Sequence, residues 1–420
     1  GVVMTPAATP ADSDQYVPAS GHLRIWKRDG TENRKMAEVN DEGDFVKSGQ
    51  QYDATDLGYE SGRSIVFYVE GIAPSEKMGD QQIRVEVVPD PEKSLICRDV
   101  VRCTLLKAEL VPDWNHDRVI DERDFNRATF KNPYRFWIND DTDNGDIASG
   151  NSDLPGNCDG NASDGEVNGR CDLLDFFPVW MNLGNLIKLI PSEYKCIYFL
   201  RNSNGTLNYF QSELSRQKAG EYLIKDSRSY GVDFIEYADR VANINVTADG
   251  ASVCNSLYWA MKRNADEGVL ILEGKTPTTS PLILEIHKDG PTGPLLYETQ
   301  LPLSLSGVQE MYRWINLRPG RSGDSRTGPS PNFPDDQSYG KHVVFVHGYN
   351  INEDQGHATA AEVFKRLYWS GSRAMFTAVT WQGDEQGGLL DSGAYYHLDV
   401  INAFEAASNL VPQVAALPGG

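Results

Sequence analysis

The sequence predicts a multidomain chain in which two β-sandwich domains flank an acidic module and a parallel α/β sheet follows the second sandwich. Three observations predict this arrangement. Two blocks of alternating apolar residues resemble each other, an acidic segment bracketed by aromatic residues lies between them, and a short apolar run near the carboxyl end stops at His-Gly. The predicted parts are residues 1–20 as a disordered leader, 21–111 as a β-sandwich, 112–184 as the acidic module, 185–318 as a second β-sandwich, 319–340 as a linker and 341–420 as the beginning of the α/β domain.

The chain is long and strongly acidic, with 420 residues and a formal net charge of −21. Such a surplus of negative charge disfavours nucleic acid and anionic membrane surfaces as partners. The sequence contains no apolar run of about 18 residues, so it predicts no membrane-spanning helix. The amino terminus resembles that of a processed protein, from which a preceding segment has been removed. Together with the negative charge, this favours a secreted, extracellular or cell-surface protein that binds cations.

The two apolar blocks predict the sandwiches. Ile65–Pro89 and Val269–Asp289 each contain an alternating strand that ends in Glu-Gly, a turn with proline, and a second alternating strand. Each block also has an earlier strand, His22–Lys27 in the first and Lys195–Leu200 in the second. Alternation predicts antiparallel sheets with one buried face, so we interpret the blocks as two related, immunoglobulin-like domains. The alternative is a chance likeness between two hairpins.

The cysteines leave the redox compartment open. The even number permits disulfides, which would imply an oxidising compartment, and buried thiols are the alternative. No CxxC or HxxxH spacing occurs, so zinc is disfavoured. The six cysteines are Cys97, Cys103, Cys158, Cys171, Cys196 and Cys254.

The acidic module begins with a twelve-residue segment that has the spacing of a calcium loop. We call Asp113–Asp124 the first acidic loop. A hard cation takes six to eight oxygen ligands, and alternate residues of a curling loop supply them. The segment resembles EF-hand and dockerin-type calcium loops, except that position 6 is Arg118 instead of glycine and position 12 is aspartate instead of glutamate. The resemblance implies side-chain ligands and one backbone carbonyl from Asp113, Asn115, Asp117, Val119, Asp121 and Asp124. A solvated acidic turn is the alternative.

A second segment of similar spacing follows, and we call Asp164–Asp175 the second acidic loop. It has glycine at position 6, and aromatic residues bracket the acidic stretch before and after it. Dense negative charge repels itself unless a cation lies within it, so we expect at least one further calcium ion. A disordered acidic linker is the alternative. The expected ligands are Asp141, Asp143, Asp164, Glu166, Asn168, Asp172 and Asp175.

The carboxyl part alternates strands and helices. Within Lys341–Asn350, the run Val343–Val346 is too short for a helix and rich enough in β-branched residues for a buried parallel strand. Apolar spacing predicts a helix over Ala358–Trp369, a strand over Phe376–Trp381 and a helix over Tyr395–Leu410.

The strand that ends in His347-Gly348-Tyr349-Asn350 resembles the α/β-hydrolase superfamily, in particular the esterase- and lipase-like bacterial proteins with an HGYN loop. We call these four residues the HGYN segment. The resemblance implies an active site at the carboxyl edge of the sheet, with the Tyr349 amide as one donor to an oxyanion. It leaves His347 open between a catalytic role and a structural one that shapes the turn.

The sequence contains no G-x-S-x-G nucleophile elbow. The resemblance therefore implies the amino-terminal part of a serine acyl hydrolase that acts on an acyl ester, with a nucleophile outside this chain and no activity of this chain alone. The alternative is a calcium-stabilised structural, cell-surface or filament-forming protein that self-associates and has a non-catalytic hydrolase-like segment.

Overall fold

The structure is a computed structural model of the chain. It describes residues 106–140, 173–184, 186–190, 192–205, 207–212, 214–223, 244–253, 267–290, 292–328, 335–383 and 392–417, and the backbones of seven strands before residue 104. The protein is rich in β-sheet, has several separate sheets and has few helices. It divides into two units, residues 1–108 with 183–194, and residues 109–182 with 195–420.

The first unit contains two antiparallel sheets. One has the strand order β4-β1-β6-β7 and the other has the order β3-β2-β5. The unit also contains the short helix α1, Leu186–Leu189. The strands are β1 (Val2–Ala7), β2 (Leu23–Asp29), β3 (Glu32–Ala37), β4 (Gln51–Tyr52), β5 (Tyr68–Gly71), β6 (Gln81–Val87) and β7 (Cys97–Cys103).

Strand β1 lies within the predicted disordered leader. It pairs antiparallel with β6 along its whole length. The Ala/Thr/Pro composition of residues 1–20 predicts disorder, but Val2 and Val3 are β-branched and favour an extended strand where a partner is present. This part of the leader is therefore a strand.

The second unit contains two larger antiparallel sheets. One has the order β13-β12-β15-β10-β8 and the other has the order β14-β11-β16-β17. The hydroxyl of Tyr209 in the first sheet donates to the carbonyl of Ser252 in the second at 3.0 Å. The strands are β8 (Glu109–Pro112), β10 (Phe176–Asn182), β11 (Ile197–Arg201), β12 (Leu207–Gln211), β13 (Ile244–Val246), β14 (Ala251–Ser252), β15 (Glu267–Gly274), β16 (Leu282–His287) and β17 (Leu295–Leu301).

Strand β15 is buried on both faces, whereas the sequence analysis expects one buried face. Seven of its eight residues are buried, because it lies between β10 and β12 and is covered on both sides. Val269 and Ile271 pack with Ile120 of the first acidic loop and with Tyr222. Strand β16 alternates between buried and half-buried residues, as expected.

The five-stranded sheet joins strands that the sequence analysis assigns to three different parts. Strand β8 falls in the predicted first sandwich, β10 in the predicted acidic module and β15 in the predicted second sandwich, yet β10 pairs with both of the others. The two apolar blocks share one feature, because the two main strands of each block lie in different sheets. They differ in pairing, since β2 pairs with β5 but β11 pairs with β16.

The carboxyl part forms a parallel sheet with the order β19-β21-β20. Strand β9 (Tyr134–Trp137) and strand β18 (Leu303–Ser306) form a separate parallel pair. The sequence analysis places Arg313–Asn316 at the end of the second sandwich, but the structure pairs it as β19 with β21. The three strands are β19 (Arg313–Asn316), β20 (His342–Val346) and β21 (Met375–Thr380).

Two helices accompany this sheet. Helix α2 (Glu353–Trp369) connects β20 to β21 and begins earlier than predicted, because Asn352 and Gln355 form a capping box. Helix α3 (Ser392–Ala415) follows β21 and is longer than predicted. No helix in the described ranges is both long and apolar enough to cross a membrane.

Candidate functional site

The first acidic loop connects β8 to β9 and folds around its own side chains. The Asp113 carboxylate accepts the N–H of Arg118 at 2.8 Å. Asn115 Oδ1 accepts the N–H of Asp117 at 2.9 Å, and Asp117 Oδ1 accepts the N–H of Val119 at 3.1 Å. Alternate side chains thus accept hydrogen bonds from backbone N–H groups further along the loop. These bonds curl the backbone around the side-chain oxygens.

Asp124 closes the loop. One of its carboxylate oxygens accepts the N–H groups of Trp114 and Asn115 at 3.0 and 3.2 Å. The other accepts the N–H of Asp121 at 2.8 Å. Only 1% of Asp124 is exposed. Position 12 therefore holds the two ends of the loop together, although its side chain is one methylene shorter than that of glutamate.

The backbone of the loop is left-handed at positions 4 and 6. His116 has φ 61° and Arg118 has φ 71°. Position 6 of a calcium loop needs a sharp turn that glycine ordinarily supplies. Arg118 adopts that conformation without glycine, and its Nε donates to the carbonyl of Trp369 at 2.9 Å. The substitution that weakens the sequence resemblance is accommodated in the fold.

The loop also contacts helix α2. The His116 ring stacks on Tyr368 with 3.5 Å between centroids. Burial, together with the nearby charge of Arg373, lowers the pKa of His116 well below its usual value, so the ring is neutral at pH 7. The first acidic loop and α2 therefore form one packed region.

The carboxylates of the loop are held close together and away from water. Burial, followed by repulsion from Asp124, raises the pKa of Asp113 to about 8. Burial likewise raises the pKa of Asp124 to about 6. Asp113 Oδ1 is buried and meets no hydrogen-bond donor among the described residues. A cation placed at these oxygens would relieve both the repulsion and the unpaired oxygen.

Arg123 neutralises the exposed side of the loop. Its guanidinium lies 2.7 Å from Asp117 and 2.8 Å from Asp121. Its hydrogen bonds hold the pKa of Asp121 below the usual value. Since the Arg123 side chain is 61% exposed, it can leave these carboxylates without disturbing a buried contact.

Without metal, we expect the stability of the protein to fall as the pH rises from about 4 to about 8. In the folded state, Asp113 and Asp124 keep their protons at pH values at which unfolded aspartate has lost them. Between the unfolded and the folded pKa of each group, every pH unit therefore lowers the free energy of unfolding by roughly 1.4 kcal/mol. Asp124 contributes up to its pKa of about 6 and Asp113 up to about 8. Urea unfolding in EGTA at several pH values measures this slope. The variant Asp113→Asn should flatten it between pH 6 and 8, and an unchanged slope would contradict the assignment.

The second acidic loop lies almost entirely outside the described residues. Its described ligand candidate, Asp175, is fully buried and contacts Lys365 Nζ of α2 at 2.7 Å. The indole N–H of Trp137 also donates to this carboxylate. Asp175 is thus engaged by a lysine, which differs from the ligand role that its position predicts. The other candidates, Asp141, Asp143, Asp164, Glu166, Asn168 and Asp172, are outside the described ranges.

The sequence analysis also missed a buried carboxylate. It places Glu273 at the end of an alternating strand and gives it no role, but the structure buries it completely there, near the end of β15. The side-chain amides of Asn139 and Asn208 donate to its two oxygens at 3.0 and 2.8 Å. The available signal was a glutamate that continues the apolar run Val269–Leu272.

His347 has a structural position at the carboxyl edge of the parallel sheet. It is 4% exposed, and its Nδ1 lies 2.8 Å from the Gly348 carbonyl. Its Nε2 lies 2.9 Å from Thr380 Oγ1 and accepts the N–H of Trp381 at 3.2 Å. With both nitrogens engaged, the ring orients the turn between β20 and α2, which favours the structural interpretation of this histidine.

The amides of Gly348 and Tyr349 are open. Neither N–H donates a hydrogen bond within the part of the chain that the structure describes. A Cβ atom at Gly348 would meet no described atom within 4 Å. Asn350, at φ 60°, turns the chain back by donating its N–H to Gly383. Two adjacent N–H groups beyond the end of β20 therefore have no hydrogen-bond acceptor among the described residues.

A groove lies at the same edge of the sheet, between the ends of β19 and β21 and helix α3. Its volume is about 480 Å³. Its lining includes side-chain amides and one guanidinium, from Asn316, Arg318, Gln382, Asn402, Asn409 and Gln413. In α/β sheets, ligands bind at the carboxyl ends of the strands, and this groove lies at that edge of the parallel sheet.

Comparisons with known proteins add no family to this picture, because no protein-family model matches the chain and no curated protein matches it significantly.

Proposed function

We propose that the chain is the calcium-binding, oxyanion-supplying part of a secreted serine acyl hydrolase. The observation that carries the calcium part is the buried Asp113 carboxylate, whose Oδ1 meets no donor among the described residues and whose pKa is raised to about 8. Calcium would be bound by the first acidic loop, through oxygens of Asp113, Asn115, Asp117, Val119, Asp121 and Asp124. The left-handed residues at positions 4 and 6 support this proposal.

Calcium binding is testable with the chain itself. CaCl₂ titrated calorimetrically into EGTA-stripped protein should give a saturable heat and raise the melting temperature. Magnesium should be weaker, since it demands a rigid octahedral shell that a flexible acidic loop does not provide. A melting temperature unaffected by millimolar calcium would overturn this part of the proposal.

Arg123→Gln should raise the calcium affinity several-fold. The guanidinium lies on two proposed ligands, Asp117 and Asp121, and competes with the metal for their charge. Calorimetric titration at low and high salt measures the effect, which should shrink as salt screens the arginine. Lys131→Gln removes one exposed positive charge elsewhere and is the control. Equal affinities for the two variants would show that Arg123 does not compete.

The hydrolase part rests on the HGYN segment. When a serine hydroxyl attacks an acyl ester, the carbonyl oxygen becomes an oxyanion that needs preorganised donors. The open N–H groups of Gly348 and Tyr349 are suited to this task. Strand β20 pairs only with β21 in the described part of the chain, and Val346 is 43% exposed. We therefore propose that further polypeptide, carrying the nucleophile, extends the sheet at β20.

Tyr349→Pro should lower kcat by roughly 10²–10³ in the form of the protein that carries the nucleophile, because it removes one oxyanion donor. Gly348 precedes the new proline and tolerates the restriction that proline imposes on its neighbour. Tyr349→Ala keeps the amide, removes only a half-exposed ring and should cost less than about tenfold. Hydrolysis of p-nitrophenyl esters measures both variants. Equal losses would assign the effect to the ring.

The structural alternative is favoured by one observation. Helix α3 exposes several large apolar side chains, Tyr396, Leu398, Ile401, Phe404 and Val411. Such a surface fits self-association as well as a continued hydrolase fold. A fluorophosphonate probe should label the longest native form of an acyl hydrolase. No labelling, combined with calcium-dependent assembly in sedimentation experiments, would favour the structural protein.

A further inference from the structure

Glu273 is a completely buried carboxylate, and its charge needs compensation inside the fold. Its exposed fraction is 0%, and cross-strand neighbours on β10 and β12 flank it. Lys275 is one cation near it, with its Nζ 3.7 Å from the carboxylate on a side chain that is 29% exposed. A buried carboxylate needs close compensation of its charge, and a lysine at this distance gives a weak form of it.

The two asparagines beside Glu273 have a second, matching problem. Asn139 and Asn208 are 5% and 1% exposed, and each points its amide nitrogen at Glu273. Their Oδ1 atoms are buried and accept no hydrogen bond from any residue that the structure describes. A buried amide oxygen that accepts no hydrogen bond destabilises the folded state.

Rotation of the two asparagine amides would allow a cation to compensate the Glu273 charge and to pair with the Oδ1 atoms. A half-turn of a side-chain amide exchanges its nitrogen and oxygen without a change of shape. After it, the Oδ1 atoms of Asn139 and Asn208 would converge with the two oxygens of Glu273. Four oxygens, two of them from a carboxylate, are the beginning of a shell for a hard divalent cation. The N–H of Asn139 donates to the Gly274 carbonyl at 2.8 Å, which fixes this asparagine beside β15.

We propose that Glu273, Asn139 and Asn208 form a second divalent-cation site, of calcium type, separate from the first acidic loop. Without the ion, the two amide nitrogens face the carboxylate. With the ion, the two amide oxygens replace them. The site does not depend on the hydrolase proposal or on the first acidic loop, since it shares no residue with either.

The test counts bound ions. Terbium luminescence and CaCl₂ calorimetry on the whole chain should show that Glu273→Gln loses one equivalent while keeping the equivalent that Asp113→Asn removes. Asn139→Ala and Asn208→Ala should each weaken that equivalent by at least about tenfold, as expected for losing one ligand. Asn182→Ala is the matched control, because the Asn182 amide donates to Glu109 in a similar pair at 3.3 Å. It should leave the ion count and both affinities unchanged.

Lys275→Met separates a cation site from a purely structural network. In a cation site the lysine competes with the ion, so this variant should bind terbium more tightly. In a structural network the lysine is the counter-ion, so the variant should lose stability in EGTA with no change in ion binding. A Glu273→Gln protein that retains every equivalent of the wild type, with a native circular dichroism spectrum, would overturn the proposal.

Discussion

Asp113→Asn should remove the stabilisation by calcium while leaving the metal-free protein as stable as the wild type, or more stable, at pH 7. The wild type should gain about 4 kcal/mol at a calcium concentration about 1,000 times the dissociation constant. For a unit of this size that corresponds to a rise in melting temperature of about 6 °C. In the variant the neutral amide keeps the shape of the side chain but cannot supply the charge that the ion needs.

The variant should be less stable than the wild type in calcium but equally or more stable in EGTA, and this contrast makes the prediction specific. Burial and the neighbouring carboxylates disfavour ionised Asp113, so its replacement relieves the metal-free loop. Differential scanning calorimetry with and without calcium measures both effects. Asp249→Asn makes the same change of charge in an exposed turn and should preserve the full response to calcium. A variant at position 113 that still responds fully would exclude Asp113 as a ligand.

Lys365→Met should destabilise the second unit by about 3–5 kcal/mol. Lys365 and Asp175 are both fully buried and contact each other at 2.7 Å. Removal of the lysine takes away the positive charge that compensates this buried carboxylate, although the indole of Trp137 still donates a hydrogen bond to it. Urea unfolding measures the loss as a fall in the midpoint.

A double variant separates the pair from simple packing. Lys365→Met combined with Asp175→Asn removes both charges and should regain most of the lost stability. Arg366 lies on the exposed side of the same helix, so the control variant Arg366→Met should change the stability by less than about 0.5 kcal/mol. If the double variant is as unstable as the single one, the cost lies in packing and not in the buried charge.

Local signals in the sequence predicted the parts of the fold that depend on contiguous residues. The first acidic loop is an example, because its oxygens occur within twelve residues and the curl comes from hydrogen bonds inside the loop. Strand β20 is another, since its run of β-branched residues favours a strand, although the structure leaves it half-buried where the sequence predicts a buried one. Helix α2 was predicted too late because the apolar spacing begins after the cap, at which Asn352 and Gln355 bind each other's backbone.

Contacts between distant residues could not be predicted from the sequence. Asn139 and Glu273 are separated by 134 positions, and Asp175 lies far from Lys365 in the chain. Strand β19 has only four residues, and nothing in them distinguishes a parallel partner from an antiparallel one. A lysine within a helical pattern is ordinarily expected on the solvent side, so its burial becomes visible only with its partner.

The contact between Arg118 and Trp369 has a consequence for the order in which the protein is made. The two residues are 251 positions apart in the chain. At a synthesis rate of roughly 5–20 residues per second, the helix that holds Arg118 emerges tens of seconds after the loop itself. Contacts of such long range also form late in folding. On the proposed function, calcium therefore meets its complete loop only after the carboxyl part has been synthesised, and it acts as a ligand of the finished chain.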